Sequence, residues 1–510
     1  MVQSLPYVLT ALLASLSARP SAAPSPPDSV VLRVVTTNDF HGALLARAQS
    51  WSNGRLVGGA AAIAGMMDRL QRDCGCAELR LDAGDVMQGT PVSNLTYGRA
   101  TVEAFDAMGY AASAIGNHEF DWTIDTLRAR MREARFAWLA ANVRTVTGAR
   151  PEWARPWMMV RAGGLKVAVI GTASVLTPTV TRPDNVAGLR FDGVAAIVDS
   201  LVGVARHDSA ADLVILVAHD GGFCEQGGVN CHGEIFDLAD SLTAKPDLIV
   251  SGHTHSLLNT TRNGIPIVQA RSNGTAVGVV DFVRASGGYA ARVRVETVWA
   301  DREPADTAVA RIVDGHQRAT AALTARPIAR LAAPLVRRGD QYPLGNLLAD
   351  AYRAAAHADA AIVNNGGIRA DLDSGVVTWG QVFEVVPFQN FVTRVTVTGA
   401  ELRAAVDHAV GSREAAAHVS GLRVVVAGGA PGEARVASLT LADGRPVRDD
   451  ARYTLAVPDY LASGGSGYSM LRGRPAVNTG VVDLDAVIAY LQHQPQPVRA
   501  PAEARVTTRP

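Results

Sequence analysis

Lysine is nearly missing from this chain. Lys166 and Lys245 are the lysines, and the remaining basic residues are arginine, a bias that tracks genomic base composition and carries no function. Basic and acidic residues balance at 48 each, with a formal net charge of +0, so no overall field draws in nucleic acid or an anionic membrane. Long apolar runs are absent as well. The run from Tyr7 to Leu16 falls short of the ~20 residues that span a bilayer. Small residues and the Pro-rich stretch Pro20 to Pro27 follow it, which reads as a secretory signal peptide over 1–23 and a linker over 24–29. Cysteine is scarce: Cys74, Cys76, Cys224 and Cys231 are all there is, and none stands behind the apolar run where a lipid anchor attaches. The Gly-rich loop from Cys224 to Cys231 suits a short disulfide in an oxidising compartment. For Cys74 and Cys76 a local bridge, a metal pair and two free thiols all remain open. Structural roles are expected for all four, in a periplasmic or secreted protein with no stable membrane anchor.

What is present is globular. Hydrophobic residues make up 48% and charged residues 19% of 510 residues, too long a chain for one core at about 100–200 residues per domain. From Val30, apolar β-branched runs alternate with amphipathic segments: VVLRVVTT, GGAAAIAGMMDRL, LRLDAGD, TVEAFDAM, then KVAVIGT, LVILVAH, LIVSGHTH and IPIVQAR. That rhythm predicts a layered α/β domain over 30–300. A charged, Ala-rich, helical stretch follows as a linker over 301–325. A second domain is expected over 326–492, with a helix at Leu347 to Ala356, and a Pro/Arg-rich disordered tail over 493–510.

Polar donors stand where the apolar strands end, the place where open α/β sheets build their sites. Asp39 and His41 are two apart, so an extended backbone sends both side chains to one side. Asp85 closes Asp82-Ala83-Gly84-Asp85, placed to bridge two cations. Asn117, His118 and Asp121 follow Gly116, His219 ends one apolar run, and His253 and His255 follow another. Each pair alone is a weak signal, but five clusters at successive strand ends point to one metal site. Mixed imidazole, carboxylate and amide oxygen donors suit Zn, Mn or Fe over Ca or Mg.

With these residues in view, Asn38-Asp39-Phe40-His41-Gly42, Gly84-Asp85, Gly116-Asn117-His118-Glu119-Phe120-Asp121, His219 and Gly252-His253-Thr254-His255 resemble the metallophosphatase domain of the 5′-nucleotidase family. The resemblance extends past the linker and covers nearly the whole mature chain. It implies a four-layer α/β/β/α metallophosphoesterase sandwich with a separate C-terminal α+β substrate-recognition domain. It implies two divalent metal ions, one on Asp39, His41, Asp85 and His255, the other on Asp85, Asn117, His219 and His253. His118 would stabilise the transferring phosphoryl group or protonate the leaving oxygen, with Asp121 orienting it. It further implies a C-terminal domain that rotates to carry substrate to the metals.

In the second domain, Asn364 and Arg369 of Asn364-Asn365-Gly366-Gly367-Ile368-Arg369, and Tyr460 and Ser466 of the segment Pro458 to Tyr468, match the family's substrate-recognition segments. Arg337 and Arg338 lie near the position of an upstream family arginine. Ala416 stands where a second stacking Phe is expected, and Ser466 where many relatives have Asp. The resemblance implies a hydrolase of phosphoric esters acting on nucleoside 5′-monophosphates, with UDP-sugars and 2′,3′-cyclic nucleotides as further substrates. The rivals are a thiosulfohydrolase of the sulfur-oxidation type on the same fold and a non-catalytic nucleotide-binding surface protein.

Overall fold

A computed structural model describes residues 29–49, 51–225, 228–411, 416–427, 435–501 and 503–509. The expected signal peptide and all but the last residue of the linker at 24–29 lie outside the described residues.

The β-branched run Val30–Thr37 pairs in parallel with Ala77–Asp82 and antiparallel with Ala276–Ala285. The first sheet continues through Ala112–Ala114 and Ala137–Leu139 on one side and ends at Gly288–Thr297 on the other. The second sheet is ordered Leu257–Arg262, Ile265–Ala270, Leu248–Ser251, Leu213–Ala218, Leu165–Thr172, Trp157–Ala162, with parallel strands at its centre. Alternation sorts the side chains. Val34, Leu81, Val169, Val217 and Phe282 fill the space between the sheets. Val35 faces outward onto Ile63, Met66 and Leu70 of the helix Ala60–Cys74. Ile170 and Leu216 meet Val198 of Ala195–Gly203 and Phe236 of Glu234–Ser241. Each such side chain contributes about 1.5–3 kcal/mol by leaving water. The result is the expected four-layer α/β/β/α sandwich.

The helix Thr307–Thr324 starts where the Asp306 carboxylate accepts from the Ala308 and Val309 amides. Its Val309 and Val313 belong to the N-terminal core, and Leu323 packs on the C-terminal core. The C-terminal domain has a five-stranded sheet ordered Ala417–Ser420, Ala360–Asn364, Arg452–Pro458, Phe391–Thr398, Ala476–Val482. Helices Pro343–Ala356 and Asp483–His493 cover one face, and Gly399–Gly411 covers the other.

The expectation of a disordered tail is corrected here. Val506–Arg509 pairs in parallel with Leu422–Ala427, and the buried Arg505 guanidinium donates to Asp350 at 2.8 Å and to the carbonyls of Asn346 and Val419. Composition is a local signal, whereas this strand is stabilised by partners about 80 to 160 residues away, which local bias cannot report. Both cysteine pairs are disulfides, Cys74–Cys76 and Cys224–Cys231. Among the described residues no helix is long and apolar enough to cross a membrane.

Candidate active site

The parallel strands of both sheets end on one cluster. Asp39 and His41 follow Val30–Thr37, Asp85 follows Ala77–Asp82, and Asn117 follows Ala112–Ala114. From the second sheet, His219 follows Leu213–Ala218, and His253 and His255 follow Leu248–Ser251. The donor atoms gather into two sets, Asp39 with His41 and His255, and Asp85 with His219 and His253. The residues thus meet as expected, but not by the expected route. The strands stop at Thr37 and Ser251, and Asp39, His41, Asp85, His253 and His255 all adopt left-handed backbone, with φ of 49°, 52°, 57°, 72° and 56°. His253 and His255 consequently part company, one to each set.

Left-handed backbone at a residue with a side chain costs on the order of 1–3 kcal/mol and persists only where its surroundings over-determine it. Here they do. The Asp39 amide donates to the Gly84 carbonyl and the His41 amide to the Asp85 carbonyl, both at 2.9 Å. The buried Glu119 carboxylate accepts from the amides of Asp85, Val86 and Gly116 at 2.8–2.9 Å. At Gly84 a Cβ would stand 2.8 Å from the Gly116 nitrogen and from His219 Nδ1, so glycine is required by space as well as by its φ of 95°.

Two imidazoles are fixed in orientation. His219 Nδ1 donates to the Ala83 carbonyl and His41 Nδ1 to the Gln88 carbonyl, both at 2.8 Å, which aims each Nε2 into the cluster. Burial lowers the basicity of His219, but Asp85 outweighs it and pushes the imidazole up to about 10. His219 Nε2 lies 3.2 Å from Asp85 Oδ2 and 3.1 Å from Asn117 Oδ1, while His41 Nε2 lies 3.0 Å from His255 Nε2. Two facing imidazole nitrogens this close cannot both carry protons. Burial drives His41 down to about 3, against the pull of Asp85, and drives His253 down to about 3, helped by the charge on His219. Burial pushes the Asp85 carboxyl up, but His219, His118 and His41 outweigh it and hold Asp85 well below the usual carboxylate range. Lone pairs and an ionised carboxylate converging on two points are the donor set a pair of divalent cations fits.

Next to the cluster, His118 Nδ1 is 2.6 Å from Asp121 Oδ2. Burial lowers the imidazole's basicity, yet Asp121 and Asp85 together raise it. His118 and Asp121 line a cavity of about 210 Å³ with Asp85, Asn117, His253 and His255, and Asn364, Arg369, Tyr460 and Ser466 line its opposite wall. All the expected substrate residues are therefore brought to the cluster. Ala416 is not among the lining residues. The second ring of the cavity belongs to Phe388, stacked on His118 with centroids 5.4 Å apart. Arg337 is outside it too, donating to Asp371 and to the Ile368 carbonyl, so it braces the turn that carries Arg369. Phe388, Asn390, Thr181 and Arg182 were missed, although Pro387-Phe388-Gln389-Asn390 immediately before a strand was a turn signal open to reading.

Two sheets that deliver such a donor set from their strand ends, facing a separate α/β unit across a cleft, define a metallophosphoesterase-like hydrolase. The family model for the 5′-nucleotidase C-terminal domain matches residues 321–473. A 5′-nucleotidase of Vibrio cholerae is 30% identical over 513 residues, 90% of this chain and 90% of that protein. The crystal structure of a 5′-nucleotidase precursor from Thermus thermophilus superposes with a TM-score of 0.83 at 27% identity, covering 94% of this chain and 99% of that one. The Endonuclease YhcR of Bacillus subtilis is 27% identical over 94% of this chain, which spans 41% of that longer protein. The chain belongs to the 5′-nucleotidase family, and it is a hydrolase of phosphoric ester bonds.

Proposed function

We propose that the chain hydrolyses nucleoside 5′-monophosphates to nucleoside and phosphate, in the periplasm or as a secreted protein, through two divalent metal ions. The observation that carries this reading is that one cavity joins both donor sets to Arg369, Asn364 and two aromatic rings. We assign Asp39, His41, Asp85 and His255 to one ion and Asp85, Asn117, His219 and His253 to the other, with Zn or Mn suited to the mixed donors. When bound, such a pair activates water and neutralises phosphoryl oxygens.

The chain's own residues do the rest. His118, with its Nδ1 tied to Asp121, presents Nε2 to the cavity, where it stabilises the phosphoryl oxygens or protonates the departing ribose oxygen. Arg369, whose fork suits a phosphate, supplies positive charge from the opposite wall. Tyr460 and Phe388 offer ring faces to a base, and Asn364, Asn390 and Ser466 offer polar contacts to base and sugar. The metallophosphatase domain is assigned to 30–300, the connector to 301–325 and the substrate domain to 326–492, in keeping with the cores joined by the helix Thr307–Thr324.

The test is phosphate release from AMP, UMP, UDP-glucose, 2′,3′-cyclic AMP and an aryl phosphate, with Mn or Zn and a chelator control. Chelator-sensitive preference for the nucleotides is the expected result. Release from the aryl ester alone overturns the nucleotide assignment and leaves the phosphoesterase intact. Cleavage confined to a carrier-bound thiosulfonate establishes the thiosulfohydrolase rival.

A further inference from the structure

The stretch 177–186 is where the two domains and the His118–Asp121 pair come together. Thr177–Val180 and Pro183–Val186 each form a single helical turn, and Thr181 and Arg182 between them line the cavity. On the N-terminal side, Thr181 Oγ1 donates to Asp121 Oδ1 at 2.8 Å, while the other carboxylate oxygen, Oδ2, faces His118 Nδ1 at 2.6 Å. Asn185 Nδ2 donates to the carbonyls of Phe120 and Asp121, both at 2.8 Å. On the C-terminal side, the Thr179 carbonyl accepts from the Tyr460 hydroxyl at 2.9 Å, and Arg182 donates to Asp459 Oδ2 at 2.9 Å.

A carboxylate held by one oxygen swivels about its terminal torsion, which is soft and roughly two-fold. Engaging the second oxygen fixes the plane of the carboxylate, and with it the direction in which Asp121 meets the imidazole. The Thr181 hydroxyl does this, and as a hydrogen bond to an ionised acceptor it is of the strong kind. Thr181 is itself held from both flanks, because Thr179 and Arg182 are fastened to the other domain. Tyr460 thus has a ring in the cavity and a hydroxyl in the interdomain contact.

We propose that Thr181 is a positioning residue for phosphoester hydrolysis, orienting Asp121 and through it His118, and that it does so only while the stretch 177–186 is docked on Asp459 and Tyr460. This rests on the role given to His118 above. If Thr179 and Arg182 lose their partners, the Thr181 hydroxyl loses its fixed position and His118 its alignment.

The experiment compares wild type, Thr181→Val, Thr181→Ser, Asp459→Asn and the Thr181→Val/Asp459→Asn double variant on AMP and on p-nitrophenyl phosphate with Mn, with bound metal and melting temperature measured for each. Thr181→Val should lower kcat about tenfold, the scale of losing one charge-assisted hydrogen bond, with KM within about twofold and metal content unchanged. Thr181→Ser, which keeps the hydroxyl, should recover most of kcat. Asp459→Asn should lower kcat about threefold, and the double variant should be no worse than Thr181→Val alone, because both changes act on one chain of contacts. Wild-type kcat in Thr181→Val, or losses that multiply in the double variant, overturns the proposal. Should Thr181→Val fail to fold, wild-type kcat in Asp459→Asn overturns it as well. If wild type itself releases no phosphate from either compound, the phosphoesterase reading falls and this proposal with it, an outcome distinct from an active enzyme indifferent to Thr181.

Discussion

The two walls of the cavity are held in opposite ways. On the N-terminal wall each donor sits just past a strand end, five of the seven on left-handed backbone, and the turns are locked by the buried carboxylate of Glu119 and by carbonyls that orient imidazoles. On the C-terminal wall Asn364, Arg369, Phe388, Asn390, Tyr460 and Ser466 come from separate segments, and contacts such as Phe388 on His118 or the Tyr460 hydroxyl on the Thr179 carbonyl are made across the domain boundary. One wall is built within a single domain. The other makes its contacts across two. Chemistry and selectivity are therefore assigned to different domains, and changes on the two walls should have different kinetic signatures.

The largest effect is expected at the shared carboxylate. Asp85→Asn should lower turnover on the order of 10³-fold for nucleotide and aryl ester alike, with loss of bound metal, since it removes the charge placed between both donor sets. An enzyme that keeps its metals and most of its aryl phosphatase activity would break the comparison at its first step. His118→Ala should cost about 10²-fold in kcat with metals retained, and near-normal turnover removes the assigned role. Phe388→Ala should raise KM for AMP about tenfold, the scale of one base-stacking contact, with a much smaller change for an aryl ester; equal effects on both would mean that Phe388 serves His118 rather than substrate.

The last effect concerns stability rather than turnover. Burial, with the nearby charge of Arg505, pushes His418 down to about 4 from an ordinary 6.5. It stays neutral in the fold, while the unfolded chain takes up its proton as pH drops below 6.5, so this group's contribution is lost as pH falls from 6.5 toward 4. The loss reaches at most about 3 kcal/mol. Urea midpoints at pH 7 and pH 4.5 should diverge more for wild type than for His418→Gln, and parallel shifts would remove His418 as the cause.

How far the sequence reaches follows the same division. The strand at Val30–Thr37, the layered α/β rhythm and the donor positions were legible, because apolar β-branched runs mark the strands and the donors follow them within a few residues, while the four-layer sandwich came from the family resemblance. What misled was geometry at the turn. Asp39-Phe40-His41 was read as extended, and nothing local shows that it bends through positive φ. Tyr460 was found by its motif, but Phe388 was not, and Ala416 took its place in the reading, because which segment faces Tyr460 is settled by the C-terminal sheet and not by neighbours in sequence. The strand Val506–Arg509 was missed for a similar reason, since its partner lies about 80 residues back along the chain.

The five left-handed donor positions also set what a replacement there would do to the fold. Each keeps a side chain on backbone that costs on the order of 1–3 kcal/mol. Glycine at any of them would relieve that strain while deleting a donor atom. The native residues at these turns are therefore worse for stability than the simplest alternative, the pattern expected where a position is kept for its side-chain chemistry.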